Sequence, residues 1–246
     1  MNQELKNNFI RLWKQYFNDA ELPVTFYYTD NDAGDDFAEK PKGRSCLIGE
    51  LIKVRKGRTL AYNSELLVCG GAKRSLGYID KMRPGFEFFL SCGNENIEGE
   101  RYLRNPELVR KFLGNQRKIP AEHLNIVFKR WDKLTVEDEP LVVIFFAQAD
   151  VISGLFTLAN FDQEEPNGTI TPFGSGCAQI VNYPYFEAMS DNPRAVIGMF
   201  DPSARAYIKK DLFSFAVPLK KFVKMILYME ESFLITDTWE TIKKRI

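Results

Sequence analysis

LVVIFFAQADVISGLFTLANF, residues 141–161, is the stretch on which the fold turns. Its length suits a membrane span, but Gln148 and Asp150 stand near its middle, where a charge is costly in lipid. It reads better as two elements. Residues 141–147 form an apolar run of strand length, and residues 150–160 place Val151, Leu155 and Leu158 on one helical face. A buried strand handed to an amphipathic helix predicts an α+β fold of mixed sheets with helices packed on them.

Towards the C-terminus the same grammar continues. Gly174-Ser175-Gly176-Cys177 opens a helix, and residues 195–200 and 212–216 read as strands. Pro218 starts a helix with Leu219, Phe222, Val223, Ile226 and Leu227 on one face, and a short helix at 236–245 closes the chain. Towards the N-terminus, residues 124–128 read as a strand. Asn105 and Pro106 supply an N-cap and a first helical residue for a helix ending at Gly114. Residues 86–92 and 66–68 read as strands, the second running into Cys69 and a turn at Gly70-Gly71. A helix over 44–56 is closed by Gly57. Leu5, Phe9, Leu12, Trp13, Tyr16 and Phe17 make residues 4–17 an amphipathic helix, and Pro23 introduces the strand VTFYY at 24–28. The acidic stretch 30–43 fails as a calcium loop. Its glycine, Gly34, comes fifth rather than sixth, and Pro41 stands where the bidentate Glu belongs.

The 246 residues carry 33 Lys+Arg and 33 Asp+Glu, so there is no basic surplus for a phosphate backbone, and no nucleic-acid partner is expected. The first eight residues are polar and no apolar run follows, so no secretory signal reads there. The four cysteines, Cys46, Cys69, Cys92 and Cys177, are therefore expected as reduced thiols in a cytoplasmic protein with no membrane segment. Nothing in the composition fixes the oligomeric state. No low-complexity linker divides the chain, which predicts one globular domain over 1–246.

That domain has an internal rhythm. In each half an apolar strand precedes a Gly-x-x-Cys helix start, then a strand, then a turn bearing an arginine. Gly43, Cys46 and Arg74 align without gaps on Gly174, Cys177 and Arg205. Three identities in that window barely exceed the roughly two expected by chance. The shared order is the better evidence for similar halves at about 20–120 and 124–230.

The chemistry-bearing residues follow from this pattern. Cys46 and Cys177 each sit at a helix start, where the partial positive charge favours thiolate and exposed amides can bind an anion. The competing reading is a small buried residue packing the helix start. Arg74 and Arg205, each at a turn, can clamp a carboxylate or phosphate, though solvated surface arginines are commoner. Cys46, Cys69, Cys92 and Cys177 together match the ligand count of a zinc or iron–sulfur site, but no Cys-x-x-Cys pair is present. His123, the only histidine, reads as a hydrogen-bonded structural residue. Phosphate-loop, dinucleotide and nucleophile-elbow motifs do not occur, and no cofactor is named by any motif.

The Cys46 helix, Leu67-Val68-Cys69-Gly70-Gly71 followed by Leu76-Gly77-Tyr78, the Gly174–Cys177 start and Ala216-Val217-Pro218 resemble the DUF169 family of uncharacterised bacterial and archaeal proteins, some of them cysteine-rich. The resemblance runs over roughly residues 20–228. It implies a cysteine with a glycine pair at Cys69-Gly70-Gly71 and a cysteine opening the later helix at Cys177. Many members carry a Cys-x-Gly-x-Arg-like turn in the second half. Here residues 198–205 keep Arg205 without the cysteine. The resemblance implies no established reaction.

Three functional expectations result. The first is binding of a small anionic molecule between the halves, by Gly43, Cys46, Arg74, Gly174, Gly176, Cys177 and Arg205. The second is a cysteine-dependent enzyme, or a redox or metal protein, using Cys46, Cys69, Cys92 or Cys177. The third is an oligomeric scaffold with an aromatic interface.

Overall fold

The 141–161 stretch divides as its pattern requires, into β4 (Val142–Ala147), buried at every position, and α6 (Ala149–Ala159). In a computed structural model describing residues 1–120 and 122–246, this strand is the middle of one seven-stranded mixed sheet. In chain order the helices before β4 are α1 (Gln3–Phe17), α2 (Leu47–Arg55), α3 (Gly70–Ser75), α4 (Phe86–Phe89) and α5 (Pro106–Asn115). The strands before it are β1 (Val24–Thr29), β2 (Leu60–Tyr62) and β3 (Asn125–Arg130). After α6 come β5 (Thr169–Ile170), α7 (Tyr183–Ala188), β6 (Ala195–Gly198), α8 (Pro202–Arg205), β7 (Phe213–Pro218), α9 (Leu219–Tyr228) and α10 (Asp237–Lys243). The sheet order is β2-β3-β1-β4-β7-β6-β5, antiparallel throughout except for the β5–β6 pair. The fold is α+β.

Side-chain alternation divides the core in two. From β4, Val143, Phe145 and Ala147 face one side, while Val142, Ile144 and Phe146 face the other. The first side is covered by α1, α6, α9 and α10 and is dense with aromatics. Trp13 stacks on Phe17 at 4.2 Å between ring centroids, and Phe222 meets Phe9 edge-on at 4.9 Å. Gly154 on α6 lets Trp239 in: a Cβ there would lie 2.4 Å from Trp239 Cη2 and 2.9 Å from Phe17 Cε1. The opposite side is covered by α2, α3 and the 176–188 helix, with Val24, Phe26, Leu60, Ile126 and Phe128 beneath them.

Caps explain the element ends that the sequence places well. Asn2 Oδ1 accepts from the Glu4 and Leu5 amides at the start of α1, and Asn105 Oδ1 accepts from Leu108 N at the start of α5. Gly57 takes φ +96° after α2, as a C-terminal glycine should.

Three expectations give way to local chemistry. Residues 66–68 do not form a strand, because Asn63 Oδ1 accepts from the Glu65 and Leu66 amides and turns the chain there. Gly70-Gly71 is not a separate turn but the first turn of α3, with Cys69 as its N-cap. The run at 86–92 forms α4 and a turn, framed by left-handed Gly85 and Gly93. A short apolar run does not distinguish strand from helix by periodicity. The edge strand β2 supplies the pairing that 66–68 does not, running antiparallel to β3. By sequence β3 falls in the second half, yet it lies between β2 and β1 of the first. Among the described residues, no helix is long and apolar enough to cross a membrane.

Candidate functional site

On the less aromatic face, short helices start close together. Cys46 is the N-cap of α2 and Cys69 the N-cap of α3. Cys177 precedes a π-helical turn, Ala178–Asn182, that leads into α7. Asp201 is the N-cap of α8, followed by Pro202 at the first helical position. Cys177 lies within electrostatic reach of Cys69, Cys46 and Asp201. Three of the four thiols thus share one neighbourhood of the fold. Cys92 sits apart on the exposed turn after α4.

The junction is held from several directions. Gly176 N donates to Asp201 Oδ2 at 2.9 Å, and Ala178 N donates to Ser175 Oγ at 3.2 Å. Ser75 Oγ and Ser175 Oγ are 3.4 Å apart, linking α3 to the Cys177 segment. A Cβ on Gly176 would lie 2.8 Å from Ala204 Cβ and 3.2 Å from Met199 Cε, so glycine lets α8 approach this closely. Behind it, Met199 is fully buried at φ +70°, held by its amide donating to Gln179 Oε1 at 2.7 Å.

The thiols differ in character. Cys177 is buried, and burial pushes its pKa well above the ordinary thiol value, reinforced by Cys69, Cys46 and Asp201. Cys46 is half-buried. Burial raises its pKa and outweighs the Gly49 and Ile48 amides, which favour the thiolate. Cys69 is exposed.

The other expected site residues lie as follows. Gly174 packs on Tyr183, whose Oη would be 2.8 Å from a Cβ there. Gly43 is exposed, with open space around it. Arg74, on α3 rather than in a turn, donates to the Asp80 and Leu113 carbonyls. Arg205, at the end of α8, donates to the Leu212 and Lys210 carbonyls and lies over the Phe213 ring at 5.3 Å. Both guanidinium groups tie down backbone. His123 Nδ1 is 3.1 Å from Asp30 Oδ2, the hydrogen-bonded arrangement expected of it. Among the described residues, no three His, Cys, Asp or Glu side chains are grouped closely enough to hold a metal ion as they stand.

A small cleft of about 20 Å³ opens beside Cys69, between the 39–50 segment and the 62–72 segment. Glu39, Ser45, Glu50, Tyr62 and Cys69 line it. Sequence reasoning passed over Asp201 and Tyr62. Asp201-Pro202 has the signature of a helix start and was findable. Tyr62 carries no comparable signal, because only the folded chain buries it.

The family model for uncharacterised ArCR proteins, DUF169, matches residues 15–227. The chain belongs to the DUF169 family. The match spans Cys46, Cys69, Cys177 and Asp201, so the whole junction lies within the family region. No curated protein and no solved structure matches the chain.

Proposed function

We propose that this DUF169 chain is a thiol-dependent protein that exchanges disulfides with a small partner at the junction of Cys46, Cys69 and Cys177. The observation that supports this reading is that three thiols from three separate helix starts lie within electrostatic reach of one another. Cys69, exposed at the start of α3, is the attacking thiol. Its thiolate attacks one sulfur of a small disulfide, releasing one thiolate, which takes up the proton that Cys69 lost. Cys46 then attacks the Cys69 sulfur, releases the second small thiol and leaves a protein disulfide. Two protein thiols are oxidised and one small disulfide is reduced. Cys177 is the buried floor of the junction.

Mass mapping of oxygen-free protein treated with 2-hydroxyethyl disulfide tests this. The first adduct is expected at Cys69, giving way to a Cys46–Cys69 disulfide, and Cys46→Ser should trap the adduct. Equal, slow labelling of all four cysteines, or a persistent adduct in the unaltered protein, would sink the proposal.

The Ile48 and Gly49 amides near Cys46 favour a second reading, a small anionic ligand between the halves. Against it, Asp201 already caps the Gly176 amide, and Arg74 and Arg205 are committed to carbonyls. Native mass spectrometry of oxygen-free protein separates the readings, since a retained anion, metal or cluster adds its own mass. If an anion is retained and its binding survives Arg74→Ala with Arg205→Ala, the arginine clamp is wrong.

A further inference from the structure

Helix α9 carries its charges in the wrong order for a helix standing alone. Its first turn contains Lys220 and Lys221 and no acidic residue, its last turn contains no basic one, and Glu230 and Glu231 follow soon after. The macrodipole favours the opposite order, carboxylates at the start and cations at the end. Lys221 is buried, but Lys220, Lys224, Glu230 and Glu231 are all exposed. Between the two charged ends lies an apolar ridge. Leu227 is 67 % exposed, and Val223, one turn earlier on the same side, is half-buried. Beside the ridge, Tyr228 packs on the exposed Phe161 with ring centroids 5.5 Å apart. The charged side chains are only loosely tied within the chain. Lys220 Nζ is 3.4 Å from the Asp191 carbonyl, Lys224 Nζ is 3.6 Å from Asp162 Oδ2, and the Glu230–Arg11 pair is solvated on both sides.

We propose that this face of α9 pairs with the same face of a second copy of the chain, the two helices running antiparallel across a twofold axis. The order of cations, apolar ridge and carboxylates along one helix is complementary to itself when reversed. The Lys220 and Lys224 end of each helix then meets the Glu230 and Glu231 end of the other, with the two Val223–Leu227 ridges packed together between them. A twofold interface has to be self-complementary in this sense, residue i meeting j while j meets i. Antiparallel pairing also opposes the two macrodipoles, and the second copy supplies at each helix start the negative charge that the chain itself leaves out. A uniformly acidic or basic partner would match only one end of the ridge. The exposed face is one helix wide, so the pairing is weak, with an expected Kd of about 10–100 µM. It does not depend on the disulfide exchange proposed above, whose thiols lie on the other side of the sheet.

Sedimentation velocity of the full, reduced chain from about 1 µM to about 0.5 mM tests this, a range that brackets the expected Kd. The sedimentation coefficient should rise with concentration towards the dimer value. Leu227→Asp, at a side chain already in water, should leave the far-ultraviolet circular dichroism unchanged and the chain monomeric throughout. Lys220→Glu and Glu231→Lys should each weaken association about tenfold, since each sets two like-charge contacts across the axis. Lys220→Glu should do so while slightly raising thermal stability, because it puts a carboxylate at the helix start; a variant that merely folds badly would lose both. Association should return in the double variant, Lys220→Glu with Glu231→Lys, and in an equimolar mixture of the two single variants, because both set opposite charges across the axis again. A chain that stays monomeric to about 0.5 mM overturns the proposal. So does association that survives Leu227→Asp, that is indifferent to both charge reversals, or that fails to recover in the double variant and the mixture.

Discussion

The two faces of the sheet are built from different materials. One is sealed by α1, α6, α9 and α10 over a cluster containing Phe9, Trp13, Phe17, Phe145, Phe222 and Trp239, all at most 2 % exposed. The other is covered by α2, α3, α8 and the 176–188 helix, whose starts carry Cys46, Cys69, Asp201 and Cys177. On the first face amphipathic helices bury large rings in interlocking edge and stacked geometry. On the second face several helix starts meet beside a small cleft at Cys69. The densest aromatic packing and the thiol-bearing helix starts thus lie on opposite sides of one set of strands.

Substitutions of decreasing severity can break or sharpen that contrast. Trp239→Ala should cost about 4 kcal/mol in urea unfolding, because it empties the centre of the aromatic face. Asp138→Ala should cost about 3 kcal/mol. Asp138 is buried against Lys129 Nζ at 2.9 Å and also accepts from Tyr27 Oη and the Thr135 amide and hydroxyl. Burial alone would raise the Asp138 pKa, but these partners outweigh it and hold it below the usual value. Its contribution should therefore be complete above the ordinary Asp range and fade as the pH falls through the lowered native value, in an acid-unfolding series that Asp138→Ala flattens.

Gly154→Ala should cost about 2 kcal/mol, since the added Cβ collides with Trp239 and Phe17 and neither ring has room to move. On the other face, Cys177→Ala should cost only about 1 kcal/mol at neutral pH. A Cys177 loss matching that of Trp239 would erase the contrast and make the thiol junction an ordinary core. Because the native pKa of Cys177 is raised, its protonated form stabilises the fold below the ordinary thiol range, and that contribution is lost as the pH rises through the native value. Cys177→Ala should accordingly reduce the alkaline decline in stability measured by unfolding between neutral and strongly basic pH.

The two faces were also unequally legible. The helical period of residues 4–17 and 219–227 marks the elements of the aromatic face, because long periodic segments need no tertiary information. On the other face, the Asn63 turn replaced an expected strand and Cys69 became a helix cap. In the sequence Arg74 and Arg205 are candidate clamps beside the commoner surface reading, because arginine at a chain turn can present its donors bidentately. What engages those donors, carbonyls of residues 80, 113, 210 and 212, depends on how the following loops return.

By itself the sequence determined the α+β class, the central strand, the longer helices with their caps, and membership of the DUF169 family, since each is written in local periodicity or in matching residues. Only the tertiary structure decided that Cys46, Cys69, Cys177 and Asp201 share one junction, that Cys92 stands outside it, and that the Tyr62 hydroxyl is buried without a partner. These residues come from separate helix starts and an edge strand. Their meeting depends on how short elements pack across the sheet, and hydrophobic pattern along the chain carries no record of that packing.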